Sequence, residues 1–123
     1  MADARRLAAE KRGRRGETVA AVLLRLKGYR ILGRRVRTHA GEIDLIARAP
    51  TGLVCFVEVK ARADTVAAAD ALGPRQQARI ARAAELFLAN RPELAAKGAR
   101  FDVVTVRPGA FPRHIRDAWR PDN

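Results

Sequence analysis

A chain of 123 residues, 48% hydrophobic and 31% charged, is long enough for one domain with a real core, too short for two, and too apolar for general disorder. The net charge of +12 is the outlying value: residues 1–40 hold twelve Arg or Lys against three acids, +9 of the total, so a polyanionic partner is expected. There is no serine, which removes serine-nucleophile mechanisms; the single Cys cannot form an internal disulfide; and no N-terminal run has the apolar core of a signal peptide or the roughly 20 residues of a membrane span, so the expected setting is the cytoplasm, away from membranes.

Residues 1–15 alternate alanine with basic residues and read as a basic arm or frayed helix, with residues 16–119 as the single domain and 120–123 as a tail. From Gly16 the spacing of Val19, Val22, Leu23 and Leu26 predicts a helix with those residues inward, ended by Gly28. Glu17 falls in its expected first turn, where an acid complements the helix dipole. Tyr29 to Thr38, with Arg30, Arg34, Arg35 and Arg37, reads as an irregular edge strand.

Gly41 to Ala47 and Leu53 to Lys60 read as two strands around Pro50-Thr51-Gly52, a three-residue hairpin loop with proline pre-set for the first turn position and glycine supplying the left-handed conformation. If Ala49 faces Leu53, Asp44 falls opposite Glu58 and Glu42 opposite Lys60, and alternation places all four on one face. Like charges with β-carbons about 4.5–5.5 Å apart repel unless something lies between them. A hard divalent cation taking carboxylate oxygens would relieve that repulsion. Cys55, within the second strand, reads as a buried structural thiol.

The alanine-rich stretch Thr65 to Leu72 is left unassigned between loop and marginal helix. Gly73-Pro74 starts a second helix with Gln77, Ile80, Ala81, Ala84 and Leu88 inward and Arg75, Arg79 and Arg82 on another face, broken at Asn90-Arg91-Pro92. Arg100 to Val106 predicts a central strand buried on both faces, with Asp102 bonded to backbone or arginine. Arg113 to Trp119 predicts a short final strand, Trp119 capping the core.

The blocks Gly16-Glu17, Gly41-Glu42-Ile43-Asp44-Leu45-Ile46, Phe56-Val57-Glu58-Val59-Lys60-Ala61-Arg62 and Arg100-Phe101-Asp102-Val103-Val104, in that order, resemble the YraN-like family of predicted endonucleases within the restriction-endonuclease-like PD-(D/E)XK superfamily. Archaeal Holliday-junction resolvases are the nearest well-understood relatives that this resemblance implies. Ile43 stands where the superfamily motif has proline.

The resemblance implies an α/β fold, a mixed sheet flanked by helices in the order α-β-β-β-α-β, and a magnesium- or manganese-dependent endonuclease acting on DNA, branched or recombination intermediates included. It implies Asp44, Glu58, the Val59 carbonyl and Glu17 as metal ligands and Lys60 as the cation that activates water and stabilises charge on the phosphate. Arg14, Arg15, Arg34, Arg35, Arg37, Arg62, Arg75, Gln77 and Arg79 are the expected nucleic-acid contacts. A homodimer is left open. A binding module that keeps the fold without turnover is the alternative; the blandest reading makes Glu42–Lys60 an exposed ion pair and Asp44 and Glu58 solvated strand acids.

Overall fold

The β-favouring runs on either side of Pro50-Thr51-Gly52 form the middle of the architecture. The computed structural model describes residues 2–61 and 72–121. Within them lie α1 (Ala2–Leu26), β1 (Arg30–Thr38), β2 (Gly41–Arg48), β3 (Val54–Lys60), α2 (Pro74–Ala89), α3 (Pro92–Ala95), β4 (Ala99–Thr105) and β5 (Arg113–Trp119). The strands form one sheet in sequence order, with β3 and β4 parallel and the other neighbours antiparallel. This is the expected mixed sheet flanked by helices, with β5 added at one edge and the irregular β1 at the other. A parallel pair cannot be joined by a tight turn, and the crossover from β3 to β4 carries α2 onto one face of the sheet.

On that face Ile46, Val54, Phe56, Phe101 and Val103 pack against Ile80, Ala83, Ala84 and Phe87 of α2. Phe56 is the keystone, its ring 6.1 Å from that of Phe87 and 5.6 Å from that of Phe101; truncating such a ring to alanine costs about 3–5 kcal/mol. The inward stripe of α2 runs through Phe87, with Ala81 and Leu88 only partly buried, a rotation from the expected line through Leu88. Leu72 is buried in the same core, whereas the unassigned residues 65–71 lie outside those described. Trp119 closes this core as expected, its ring 4.4 Å from that of Phe101.

The opposite face packs Leu45, Ala47, Cys55, Val57 and Val104 against Ala20, Ala21 and Leu24 of α1. Here the sequence expectation is corrected twice. Val19, Val22 and Leu26 point outward, Leu26 being 81% exposed, and the buried stripe is Gly16, Glu17, Ala20, Ala21 and Leu24, with Leu23 partly buried. Small residues win this face because they let the helix backbone approach the sheet: a β-carbon on Gly16 would stand 3.5 Å from Val59 Cγ1. The helix also begins at Ala2, so Glu17 sits in its interior, and the helix-dipole explanation of that acid no longer applies.

Burial raises the Cys55 thiol to about 11, as a structural cysteine requires. Among the described residues, no helix is long and apolar enough to cross a membrane.

Candidate functional site

The hairpin turn sets the site. Ala49 N–H donates to the Leu53 carbonyl at 2.8 Å, Gly52 N–H to the Ala49 carbonyl at 2.8 Å, and Gly52 adopts φ 96°, the left-handed conformation the loop demands. The resulting register pairs Arg48 with Val54 through to Leu45 with Val57, as the turn predicts. There the β2–β3 ladder ends. Beyond it β2 continues against β1 to Thr38↔Gly41, and β3 continues against β4 to Lys60↔Thr105, so the two central strands part into a fork.

Asp44 and Glu58 occupy the root of that fork. Asp44 Oδ2 accepts from the Val59 backbone N–H at 2.9 Å, taking the place of a ladder partner, and the Asp44 and Glu58 carboxyls are hydrogen-bonded to each other. Strict alternation fails here: Ile43 and Ile46 both lie in the α2-side core while Leu45 lies in the other. The expectation of three acids and a lysine on one face is therefore corrected for Glu42, which leaves the site and faces Arg37 across β1–β2 at 3.5 Å.

Glu58 is only 5% exposed, and its Oε1 is buried without a hydrogen-bond partner among the described residues. Burial, reinforced by the Asp44 charge and the hydrogen bond to Asp44, raises its carboxyl to about 9, against the opposing pull of Lys60. At neutral pH Glu58 thus keeps its proton, at the point where two anionic carboxylates would need a cation. A divalent ion fits this donor set: two carboxylates, one with an orphaned buried oxygen, converge beside the backbone of Val59. Among the described residues no group of three His, Cys, Asp or Glu side chains converges, so Glu17 is not drawn into the pair.

Glu17 instead reaches the site through Arg35. Arg35 Nε donates to Glu17 Oε2 at 2.7 Å, and Asp44 and Glu42 are close enough to add to the stabilisation of the guanidinium, after Glu17 itself. Arg35 holds φ 50°, an unusual conformation for a side chain that large, and lies between the pairs Arg34↔Leu45 and Val36↔Ile43, shortly after the β1–β2 register shifts between Ile31 and Gly33. Gly33 precedes it for steric reasons, since a β-carbon there would meet Val36 Cγ2 at 2.6 Å. Sequence reasoning counted Arg35 only as a phosphate contact; the run Gly33-Arg34-Arg35 in a strand was the one local sign of an irregularity.

Of the other expected nucleic-acid contacts, Arg14 and Arg15 are exposed on α1, Arg34 donates to Thr18 Oγ1 at 2.9 Å, and Arg37 is exposed. Arg75 and Arg79 are exposed on α2, the stem of Arg79 lying beside Gly41. Gln77 spends its amide N–H on the Leu72 carbonyl at 2.8 Å. Arg62 lies outside the described residues.

A second polar cluster, on the α1 side near the β4–β5 edge, was only glimpsed in the sequence. Asp102 is fully buried and accepts from Arg100 Nε and Nη2, both at 2.8 Å, from the Asp117 backbone N–H at 3.0 Å, and pairs with His114 Nε2 at 2.7 Å. Burial alone would raise its carboxyl; hydrogen bonds from His114, Arg100 and Asp117 overrule that and hold it at about 2. The arginine and backbone partners match the expectation for Asp102. His114 does not appear in it, because residues 12 apart reveal no pairing before the β4–β5 register is known.

Residues 16–106 match the model of a family described as uncharacterised protein family UPF0102. The chain is similar to the UPF0102 protein of Parvibaculum lavamentivorans, 55% identical over 115 residues that cover 94% of this chain and 86% of the relative. A UPF0102 protein of Paramagnetospirillum magneticum is 54% identical over 119 residues, covering 94% and 92%, and one of Maricaulis maris 52% over 121, covering 98% and 94%.

Proposed function

The chain belongs to the protein family UPF0102, a membership that assigns no activity, and from the chemistry of the fork we propose that it is a metal-dependent endonuclease hydrolysing phosphodiester bonds in DNA in the cytoplasm. The single observation that carries this reading is the Asp44–Glu58 pair, two acids forced together at the end of a ladder, with Glu58 buried and one of its oxygens orphaned. A fold selected only for stability has no use for such a pair. The resemblance to the restriction-endonuclease-like superfamily supports the same reading and suggests branched or recombination intermediates as substrates.

Asp44, Glu58 and the Val59 carbonyl would hold the magnesium or manganese ion, which when bound supplies polarisation of the phosphoryl oxygen and a water of lowered pKa. Each protein group then has a task. Lys60, close enough to oppose the rise in the Glu58 carboxyl, stabilises charge developing on the phosphate. Glu17 positions Arg35, whose charge lies beside Asp44 and balances the acids when the DNA backbone approaches. Arg14, Arg15, Arg34 and Arg37, on α1 and β1, hold phosphates and fix register without reading sequence.

The second reading, a nucleic-acid-binding module without turnover, is favoured by one observation: among the described residues only two acids converge, fewer than a complete ligand set. A cleavage screen over duplex, single-stranded, flap and four-way DNA with magnesium or manganese separates the two. The enzyme reading expects cleavage by the wild type, lost in Asp44→Ala and Glu58→Ala while DNA binding is kept or strengthened. Binding without cleavage of any substrate leaves the module.

A further inference from the structure

Lys27 follows the last turn of α1, where its backbone N–H still donates to the Leu23 carbonyl at 3.1 Å. Its Nζ lies 2.6 Å from His114 Nδ1, and His114 Nε2 lies 2.7 Å from Asp102 Oδ2. An ammonium can only donate, so Nδ1 is the unprotonated ring nitrogen and Nε2 carries the hydrogen given to Asp102. The order is amine, imidazole, buried carboxylate: a nucleophile beside a base that a third group orients.

Exposure divides along this line. Lys27 is exposed, the His114 side chain is 3% exposed, and that of Asp102 is 0% exposed. The ring is locked edge-on against Tyr29, with centroids 5.6 Å apart, and Arg100 binds both Tyr29 Oη and Asp102. The endonuclease reading uses none of these groups.

We propose that Lys27 is an acyl-acceptor site for small acyl phosphates. Once the ammonium has given its first proton to solvent, Nζ attacks the acyl carbon and a C–N amide bond forms. The C–O bond to phosphate breaks, and the proton shed by nitrogen passes to His114 Nδ1 and then to the departing phosphate. No oxidant or reductant is needed. Partial burial and the neighbouring Arg116 charge lower the Lys27 amine below its ordinary value, with Asp102 opposing and Arg100 assisting, which enlarges the neutral fraction. The exposed Arg116 charge favours a donor whose leaving group is a phosphate anion. The product is a Lys27 without charge, which weakens the pull of the basic N-terminal third of the chain on phosphates.

The chain contains its own comparison, because Lys97 is an exposed lysine outside the cluster. The intact protein is incubated with acetyl phosphate and acetylation at each lysine is followed over time by peptide mass spectrometry. Lys27 should react at least about tenfold faster than Lys97, a modest share of what a positioned base contributes. In His114→Gln, which can still donate to Asp102 and accept from Lys27 but cannot take up a proton, the Lys27 rate should fall to that of Lys97 while the Lys97 rate stays put. Equal rates at the two lysines in the wild type overturn the proposal even if the variant fails to fold. So does a folded His114→Gln protein with the Lys27 rate unchanged.

Discussion

Replacing Glu58 by glutamine should stabilise the metal-free protein at neutral pH and erase a specific part of its pH dependence. In the folded chain Glu58 keeps its proton to about pH 9, while the unfolded chain releases it near 4.5. Between those values the unfolded state binds fewer protons, so the stability is fully present below pH 4.5 and is lost as pH rises toward 9. One pH unit is worth about 1.4 kcal/mol, and pH 7 lies 2.5 units above 4.5, so the loss at pH 7 reaches about 3 kcal/mol as an upper value. Glu58→Gln carries no such titration. Urea unfolding in a chelating buffer at pH 5, 7 and 8.5 should show the wild type losing stability across the series while the variant stays level. At pH 7 the variant should lead by up to about 3 kcal/mol, roughly 10 °C in Tm for a domain of this size. Parallel pH curves for the two proteins refute the reasoning, because Glu58 would then not be a buried acid that keeps its proton.

Lys60→Ala should lower DNA cleavage by about two to three orders of magnitude, the range for losing one electrostatic stabiliser, with metal binding unchanged in a parallel titration. Asp102→Asn should cost about 3–5 kcal/mol in chemical denaturation, since it leaves Arg100 facing a neutral amide in a buried site. In the wild type the contribution of Asp102 is present above its ordinary 3.8 and lost as pH falls through about 2. DNA affinity should fall steeply with salt, and deleting residues 1–15 should flatten the slope by about 0.9 log units for each phosphate that segment neutralises, without abolishing binding; an unchanged slope excludes that segment from the interface.

The hairpin was legible because its turn chemistry and its alternation specify one register, and Leu45↔Val57 follows from Pro50-Thr51-Gly52 alone. The juxtaposition of Asp44 with Glu58 followed from that register. The divergence of β2 and β3 beyond them did not, because it depends on which strand lies on the outer side of each. The face of α1 was misread for a different reason. Apolar periodicity weighs bulky side chains, whereas this helix is seated by close approach through Gly16, Ala20 and Ala21, and leaves Val19 and Val22 outside. Arg35 reads in the sequence only as a phosphate contact, and its pairing with Glu17 is not legible there, because a left-handed backbone conformation in a non-glycine residue leaves almost no trace in sequence. The Asp102 cluster joins Lys27, Tyr29, Arg100 and His114, which only the completed sheet and the end of α1 bring together.

Calorimetric titration of manganese into the metal-free protein at pH 7, repeated in two buffers of different ionisation enthalpy, tests the central claim most directly, because an ion that binds Asp44 and Glu58 must displace the proton that Glu58 carries. Saturable binding is predicted, with close to one proton released per ion in the wild type and neither binding nor release in Asp44→Ala. Binding with no buffer-dependent heat, or binding that survives Asp44→Ala, would contradict the assignment of the fork as the metal site.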